Sequence, residues 1–200
     1  MLQPGQRRLI LASSSPRRQE LIRLLGQSYD IVVSRVDERI TTEMPPAQVV
    51  HDLSIRKARA VYNEIKDSQK DGIVIGADTI VVLNDKILGK PKDEQEAFQM
   101  LHALQGNTHH VYSGVACIDL ESGETLVDHC KTAVTIKPLS EQEIRRYIQT
   151  GEPKDKAGAY GIQGIGAVIV EKIEGDFFNV VGLPLSLLSD MLKRFGIEVI

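Results

Sequence analysis

The period of apolar and polar positions changes several times along the 200-residue chain, and each change marks a predicted element. Arg8 to Ala12 is a short apolar run that predicts a buried strand. It feeds SSSPRR, where Ser15 fits an N-cap and Pro16 a first helical residue. Leu21, Ile22, Leu24 and Leu25 then form the expected buried stripe, closed by Gly26. Residues 29–34 predict a second strand, and the polar stretch SRVDERITTEMPP leads into a long helix from about Ala47 to Lys66. The β-branched run IVIGADTIVVL, residues 73–83, predicts a central strand buried on both faces, with Asn84 and Asp85 as a turn before KILGKP. A helix from about Asp93 to Leu104 precedes Gly106. HVYSGVACIDL and TLVDHCKTAVTIK flank ESGE as a hairpin, and a helix spans Ser140 to Gln149. A glycine-rich loop, the strand AVIVEKI, the short segment FFNVV and a helix from Pro184 to Phe195 complete the chain. No repeat or linker interrupts the series, so the expected architecture is one α/β domain over residues 1–200, with a mixed sheet and two lobes around a cleft.

Composition narrows the function classes. With 42% apolar residues the chain can build a substantial core. Its 24 basic and 27 acidic residues, net −3, argue against broad coating of a nucleic acid polymer or an anionic membrane. Any anion site must therefore be local. No apolar run reaches membrane-span length, the N-terminus lacks a signal-peptide pattern, and two cysteines, Cys117 and Cys130, make no disulfide framework, although one bridge stays open. The expectation is a soluble, cytoplasmic protein.

Six places carry candidate chemistry. At the first hinge, the helix N-terminus favours an anion, Ser13, Ser14 and Ser15 offer hydroxyls, and Arg17 and Arg18 offer planar forks suited to phosphate oxygens. An ordinary cap with solvated arginines is the bland alternative, but the helix dipole disfavours cations in a first turn and so favours an external anion. Asp78 interrupts the most apolar strand, where an unpaired carboxylate costs several kcal/mol, on the order of 3 or more. A metal, a lysine or a substrate would compensate it, and so would backbone N–H groups in a bend beside Gly76. Lys57 breaks the apolar stripe between Leu53 and Val61, either snorkelling outward or reaching a phosphate. Lys90 in LGKP follows the Asp78 strand. Glu38, beside Asp37 in RVDERI, could share a divalent cation with Asp78, or simply be solvated. In KDKAGAYGIQGIGA, residues 154–167, the glycines admit close backbone approach, Tyr160 supplies a ring, and Gln163 an amide able to read a base edge. The chain lacks a GxxxxGK[ST] loop, a GxGxxG after a strand, a GxSxG elbow and zinc-type spacing of histidine and cysteine.

Assembled in order, LILASSSPRR, the VDE loop, RKARA, VIGADTIVVL, LGKP, DKAGAYGIQG and VVGLP resemble the Maf family of nucleoside triphosphate pyrophosphatases along nearly the whole chain. The resemblance implies an elongated fold similar to that of inosine triphosphatases (Maf/Ham), cleavage between the α and β phosphorus atoms, and a divalent cation, magnesium or manganese. It makes Asp78 the acceptor of a proton from water, Glu38 its metal partner, and Ser13, Ser15, Arg17, Arg18, Lys57 and Lys90 phosphate ligands. Arg17, Thr79 and Gln163 are as in the branch acting on dTTP and UTP, so those substrates and modified pyrimidine triphosphates are expected. A homodimer is also implied. The rival reading is a nucleotide-binding regulator of cell division acting through a partner protein; the third is a purine-directed enzyme of the inosine triphosphatase type.

Overall fold

The computed structural model describes residues 7–39, 44–69 and 71–200. The elements alternate as in an α/β protein: β1 (Leu9–Leu11), α1 (Pro16–Arg23), β2 (Tyr29–Ile31), α2 (Pro46–Ile65), β3 (Ile73–Leu83), β4 (Lys86–Leu88), α3 (Glu94–Leu104), β5 (Thr108–Asp119), β6 (Thr125–Ile136), α4 (Glu141–Gln149), β7 (Val170–Glu174), α5 (Phe177–Val181) and α6 (Leu185–Arg194). One seven-stranded sheet holds the strands in the order β2-β1-β3-β5-β6-β7, with β4 pairing β3. Its β1–β2 and β1–β3 pairs are parallel and its β3–β4 and β6–β7 pairs antiparallel, so the sheet is mixed. The chain divides into two compact units, residues 1–78, 113–130 and 182–200 forming one, and residues 79–112 and 131–181 the other.

In the first unit, β1 is fully buried and leads through residues 12–15 into α1, so Ser13 to Ser15 and the first turn of α1 follow the carboxyl end of a parallel strand, the usual ligand-binding end of such sheets. Ile10, Ala12, Ala58, Val61, Val74, Ala116 and Ile118 pack between sheet and α2. Gly76 sets their spacing. A Cβ on it would lie 2.2 Å from the Ser54 carbonyl oxygen and 2.6 Å from the Ala58 nitrogen, so α2 approaches β3 as only glycine permits. Since strand side chains alternate, Asp78 shares the face of Gly76 and is aimed at α2. Arg7 donates both terminal nitrogens to Asp119 at 2.8 and 3.0 Å, fastening the end of β5.

In the second unit, Leu101, Leu104, Val111, Val134, Ile136, Ile144 and Tyr147 form the core. α4 starts with a capping box: Ser140 accepts from the Glu143 N–H and the Glu143 carboxylate accepts from the Ser140 N–H. α3 is capped by Asp93, which accepts from the Glu96 N–H at 2.8 Å. The glycine-rich stretch is ordered into three 3-10 turns, Glu152–Asp155, Ala157–Ala159 and Gly164–Val168, rather than a plain loop.

Several sequence expectations need correction. Leu24 is 64% exposed: although it keeps helical backbone angles as the C-cap of α1, the helical turn of about 100° per residue puts it outside the stripe that buries Leu21, Ile22 and Leu25. The second strand stops at Ile31, because Val32 makes the last bond to β1 through Leu11 O and Val33 turns outward. The strand expected over AVIVEKI starts only at Val170, its first residues being taken by the last 3-10 turn. Cys117 stands outside any disulfide, so the bridge left open by the sequence does not form, and burial pushes the Cys117 thiol up to about 12. Residues 40–43 of the polar stretch before α2, and residues 1–6, lie outside the described residues.

Candidate active site

Three residues that lie apart in sequence meet in the first unit. The Lys57 ammonium donates to Asp78 Oδ1 at 2.6 Å and pairs with Glu38 Oε1 at 2.9 Å. The Lys57 and Asp78 side chains are 8% and 9% exposed, whereas that of Glu38 is 53% exposed. The lysine that interrupts the apolar stripe of α2 therefore points inward, held there by the carboxylate that interrupts the apolar run of β3. Each anomaly is the other's compensation. The apolar residues around them, with Gly76 bringing strand and helix together, leave the pair little water to screen it.

Glu38 is presented by a clasp that sequence reasoning misses. Arg56, one residue before Lys57, donates Nη1 to the carbonyl oxygens of Asp37 and Arg39, both at 3.2 Å, gripping the backbone on either side of Glu38. Arg56 is in turn paired with Asp52 one turn earlier on α2. Asp37 does not join Asp78. It accepts from the Arg39 side chain at 2.8 and 3.0 Å and from the Arg39 N–H at 3.0 Å, and these bonds hold its carboxyl down at about 2. A neighbouring arginine so captures the second carboxylate of the expected acidic pair.

At the β1–α1 turn, Ser13 is buried and its Oγ accepts from the Ser15 N–H at 3.1 Å, while Gln19 donates to the Ser13 carbonyl at 3.3 Å. Ser15 is the N-cap residue in backbone terms, with extended φ and ψ, but its side chain makes no capping bond. Arg18 is partly buried and donates Nε to the Gly182 carbonyl at 2.8 Å. Burial lowers the pKa of its guanidinium, and the negative fields of Asp78 and Glu38 act to raise it again. Those fields place Arg18 within electrostatic range of both carboxylates. Arg17 is half-buried in the same first turn and adds a like charge to Arg18.

The remaining sequence candidates belong to the second unit. Thr79 follows Asp78 in β3 and is half-buried; by strand alternation it takes the opposite face. Lys90 is exposed just after β4, and Gly89 before it accepts from the Gly158 N–H at 3.0 Å, tying this turn to the glycine-rich stretch. Gln163 is exposed at the N-cap of the last 3-10 turn. Tyr160 is not available to a ligand: it is buried, and its hydroxyl shares a 2.6 Å hydrogen bond with His109 Nε2. Glu152 is a further residue without a sequence signal. Its carboxylate accepts from the Tyr147 hydroxyl at 2.8 Å and from the N–H groups of Ile165 and Gly166, both at 2.9 Å, which fixes the turn after Gln163.

The family model described as "Maf-like protein" matches residues 8–195. Among curated relatives, a dTTP/UTP pyrophosphatase of Caldicellulosiruptor saccharolyticus is 50% identical over 193 residues, covering 96% of this chain and 97% of the relative. A dTTP/UTP pyrophosphatase of Thermoanaerobacter sp. strain X514 is 53% identical, covering 94% and 96%. A third, from Desulforamulus reducens, is 48% identical, covering 97% and 100%. Among solved structures, the Staphylococcus aureus Ham1 protein aligns with a TM-score of 0.49 at 14% identity, covering 82% of this chain and 79% of that one. On the match over residues 8–195 and the near full-length relatives, the chain belongs to the Maf-like protein family.

Proposed function

We propose that this protein is a nucleoside triphosphate pyrophosphatase that hydrolyses dTTP and UTP, and modified pyrimidine triphosphates, to the monophosphate and pyrophosphate. The observation that carries this reading is the Glu38–Lys57–Asp78 array in a Maf-like chain, beside a helix N-terminus bearing Arg17 and Arg18. It is supported by the names of relatives about half identical over almost the whole chain.

Hydrolysis at the α-phosphorus needs a base for water, neutralisation of phosphate charge and a stabilised leaving pyrophosphate. Asp78 is the base in this reading. Lys57 holds its Oδ1 and fixes its orientation, so the proton goes to a carboxylate of defined position. Arg18, anchored by Gly182, and Arg17 face the phosphates with the Ser13 and Ser15 hydroxyls, at the positive end of α1. Lys90 takes a terminal phosphate, and Gln163 reads the imide edge of uracil or thymine, where a neutral amide can both donate and accept. Arg17 and Thr79 complete the selection.

The donor set fits a hard divalent cation: Glu38 and Asp78 present carboxylate oxygens to one positive centre, and Glu38 is exposed enough to accept an ion from solvent. Magnesium or manganese bound there would polarise phosphate oxygens and offset charge on the leaving pyrophosphate. The same reading has residues 1–200 acting as a single Maf-like domain, in the cytoplasm and as a homodimer. No described helix is long and apolar enough to cross a membrane.

The test is pyrophosphate release from a panel of triphosphates with magnesium or manganese. Turnover of dTTP and UTP ahead of inosine triphosphate is expected; no pyrimidine turnover defeats the proposal. An Asp78→Ala variant that keeps a cellular effect while losing hydrolysis would assign the biology to binding instead.

A further inference from the structure

A second polar cluster lies elsewhere on α2, in the first unit. His51 Nε2 stands 2.9 Å from His129 Nδ1 on β6, with the rings edge-on, their centroids 4.9 Å apart and planes at 65°. Asp128 brings Oδ1 to 3.7 Å from the same Nδ1 and also accepts from the His129 N–H at 2.7 Å. One ligand atom from each of the three residues lies within 4.8 Å of the others. Zinc-type spacing is absent from the sequence because the histidines are 78 positions apart, and only the packing of α2 beside β6 unites them.

Two imidazole nitrogens facing each other hold one proton between them; a cation can take that proton's place. Nitrogens bound tetrahedrally to zinc at 2.0–2.1 Å are about 3.3 Å apart, so the pair must open by only about 0.4 Å. Asp128 supplies an oxygen, and a fourth position is left to water, the pattern of an open zinc site. Imidazole nitrogens select zinc and its neighbours over magnesium, which prefers oxygen. Desolvation lowers the pKa of the His51 ring, the field of His129 adds to this, and Asp128 opposes both. His51 and His129 are half-buried and Asp128 exposed, so an ion can enter from solvent.

We propose that His51, Asp128 and His129 form a binding site for a zinc-class transition metal ion, distinct from the Glu38–Lys57–Asp78 array. The bound ion ties β6 to the helix that carries Lys57 and so stiffens the support of that lysine.

The test is a zinc titration of the full chain in competition with a chromophoric chelator, with cobalt absorption as a spectroscopic readout. One equivalent with micromolar or tighter Kd is expected, weakened at least about tenfold in His51→Gln and in His129→Gln, and kept in Asp78→Asn. Saturating zinc should raise the Tm of the unaltered protein by on the order of 5 °C and leave that of His129→Gln unmoved. Millimolar binding only, binding as tight in either histidine variant as in the unaltered protein, or a cobalt spectrum identical to that of the aqueous ion overturns the proposal.

Discussion

Replacing Lys57 by Met tests whether the buried ion pair supports the fold as well as the chemistry. The substitution keeps the unbranched apolar stem and shortens the side chain by the one atom of the ammonium, so it adds little cavity beside Leu53 and Val61. What it removes is the ammonium 2.6 Å from a carboxylate that is 9% exposed. Breaking a buried pair from one side costs roughly 3–5 kcal/mol. Two features favour the lower end: Glu38 is half-exposed and can turn to water, and the field of Arg18 still reaches Asp78. The expected loss is about 3 kcal/mol, read by urea denaturation at pH 7. In an Asp78→Asn background the orphaned charge is gone, and Lys57→Met should cost only about 1 kcal/mol, a coupling of about 2 kcal/mol. Added salt should change the coupling little, since a buried pair is poorly screened. A cost below about 1 kcal/mol in the unaltered background, or equal costs in both backgrounds, would mean that the pair is screened by water and does not hold the fold.

His109 is buried, its Nδ1 has no hydrogen-bond partner, and desolvation, with a smaller push from His110, holds its pKa down to about 4. Between pH 6.5 and 4 the unfolded chain therefore binds more protons than the folded one, so stability falls as pH falls through that window, by up to about 3 kcal/mol at its lower end; His109→Gln should flatten the slope in urea melts at several pH values. Gly76→Ala should cost at least about 3 kcal/mol or prevent folding, because its Cβ meets backbone at 2.2 and 2.6 Å; circular dichroism melting checks it. Glu152→Ala leaves two backbone N–H groups and the Tyr147 hydroxyl without their acceptor and should lower stability by about 2–4 kcal/mol, whereas Glu152→Gln, which retains one acceptor oxygen, should lose less in the same thermal assay. If Gln163 reads the base as proposed, Gln163→Glu should reduce kcat/KM for UTP at least about tenfold with little change in Tm, since an acceptor-only carboxylate would then meet the carbonyls of the base.

Much of the fold is legible in the chain because its signals are local. The apolar run of β3, the Asp93 and Ser140 caps and the tight turns at Asn84–Asp85 and Glu121–Glu124 depend on neighbours in sequence. The candidate site is half legible for the same reason. Asp78 and Lys57 stand out as charges in apolar patterns, but nothing in the sequence says that each is the other's partner. That depends on the close approach allowed by Gly76. Arg56 gripping the carbonyls beside Glu38, Glu152 organising the turn after Gln163, and His51 meeting His129 are tertiary arrangements without a periodic trace. Leu24 fails differently: it is apolar and helical, but its angle around α1 lies outside the stripe of Leu21, Ile22 and Leu25.

In the proposed reaction Asp78, held by Lys57, activates water for attack at the α-phosphorus of a pyrimidine triphosphate. Following UTP by phosphorus NMR with the unaltered protein and with Asp78→Asn tests it most directly. UMP and pyrophosphate are expected as the only products, at a rate at least about a hundredfold lower in Asp78→Asn. UDP and phosphate as products, or an undiminished rate in Asp78→Asn, would contradict it.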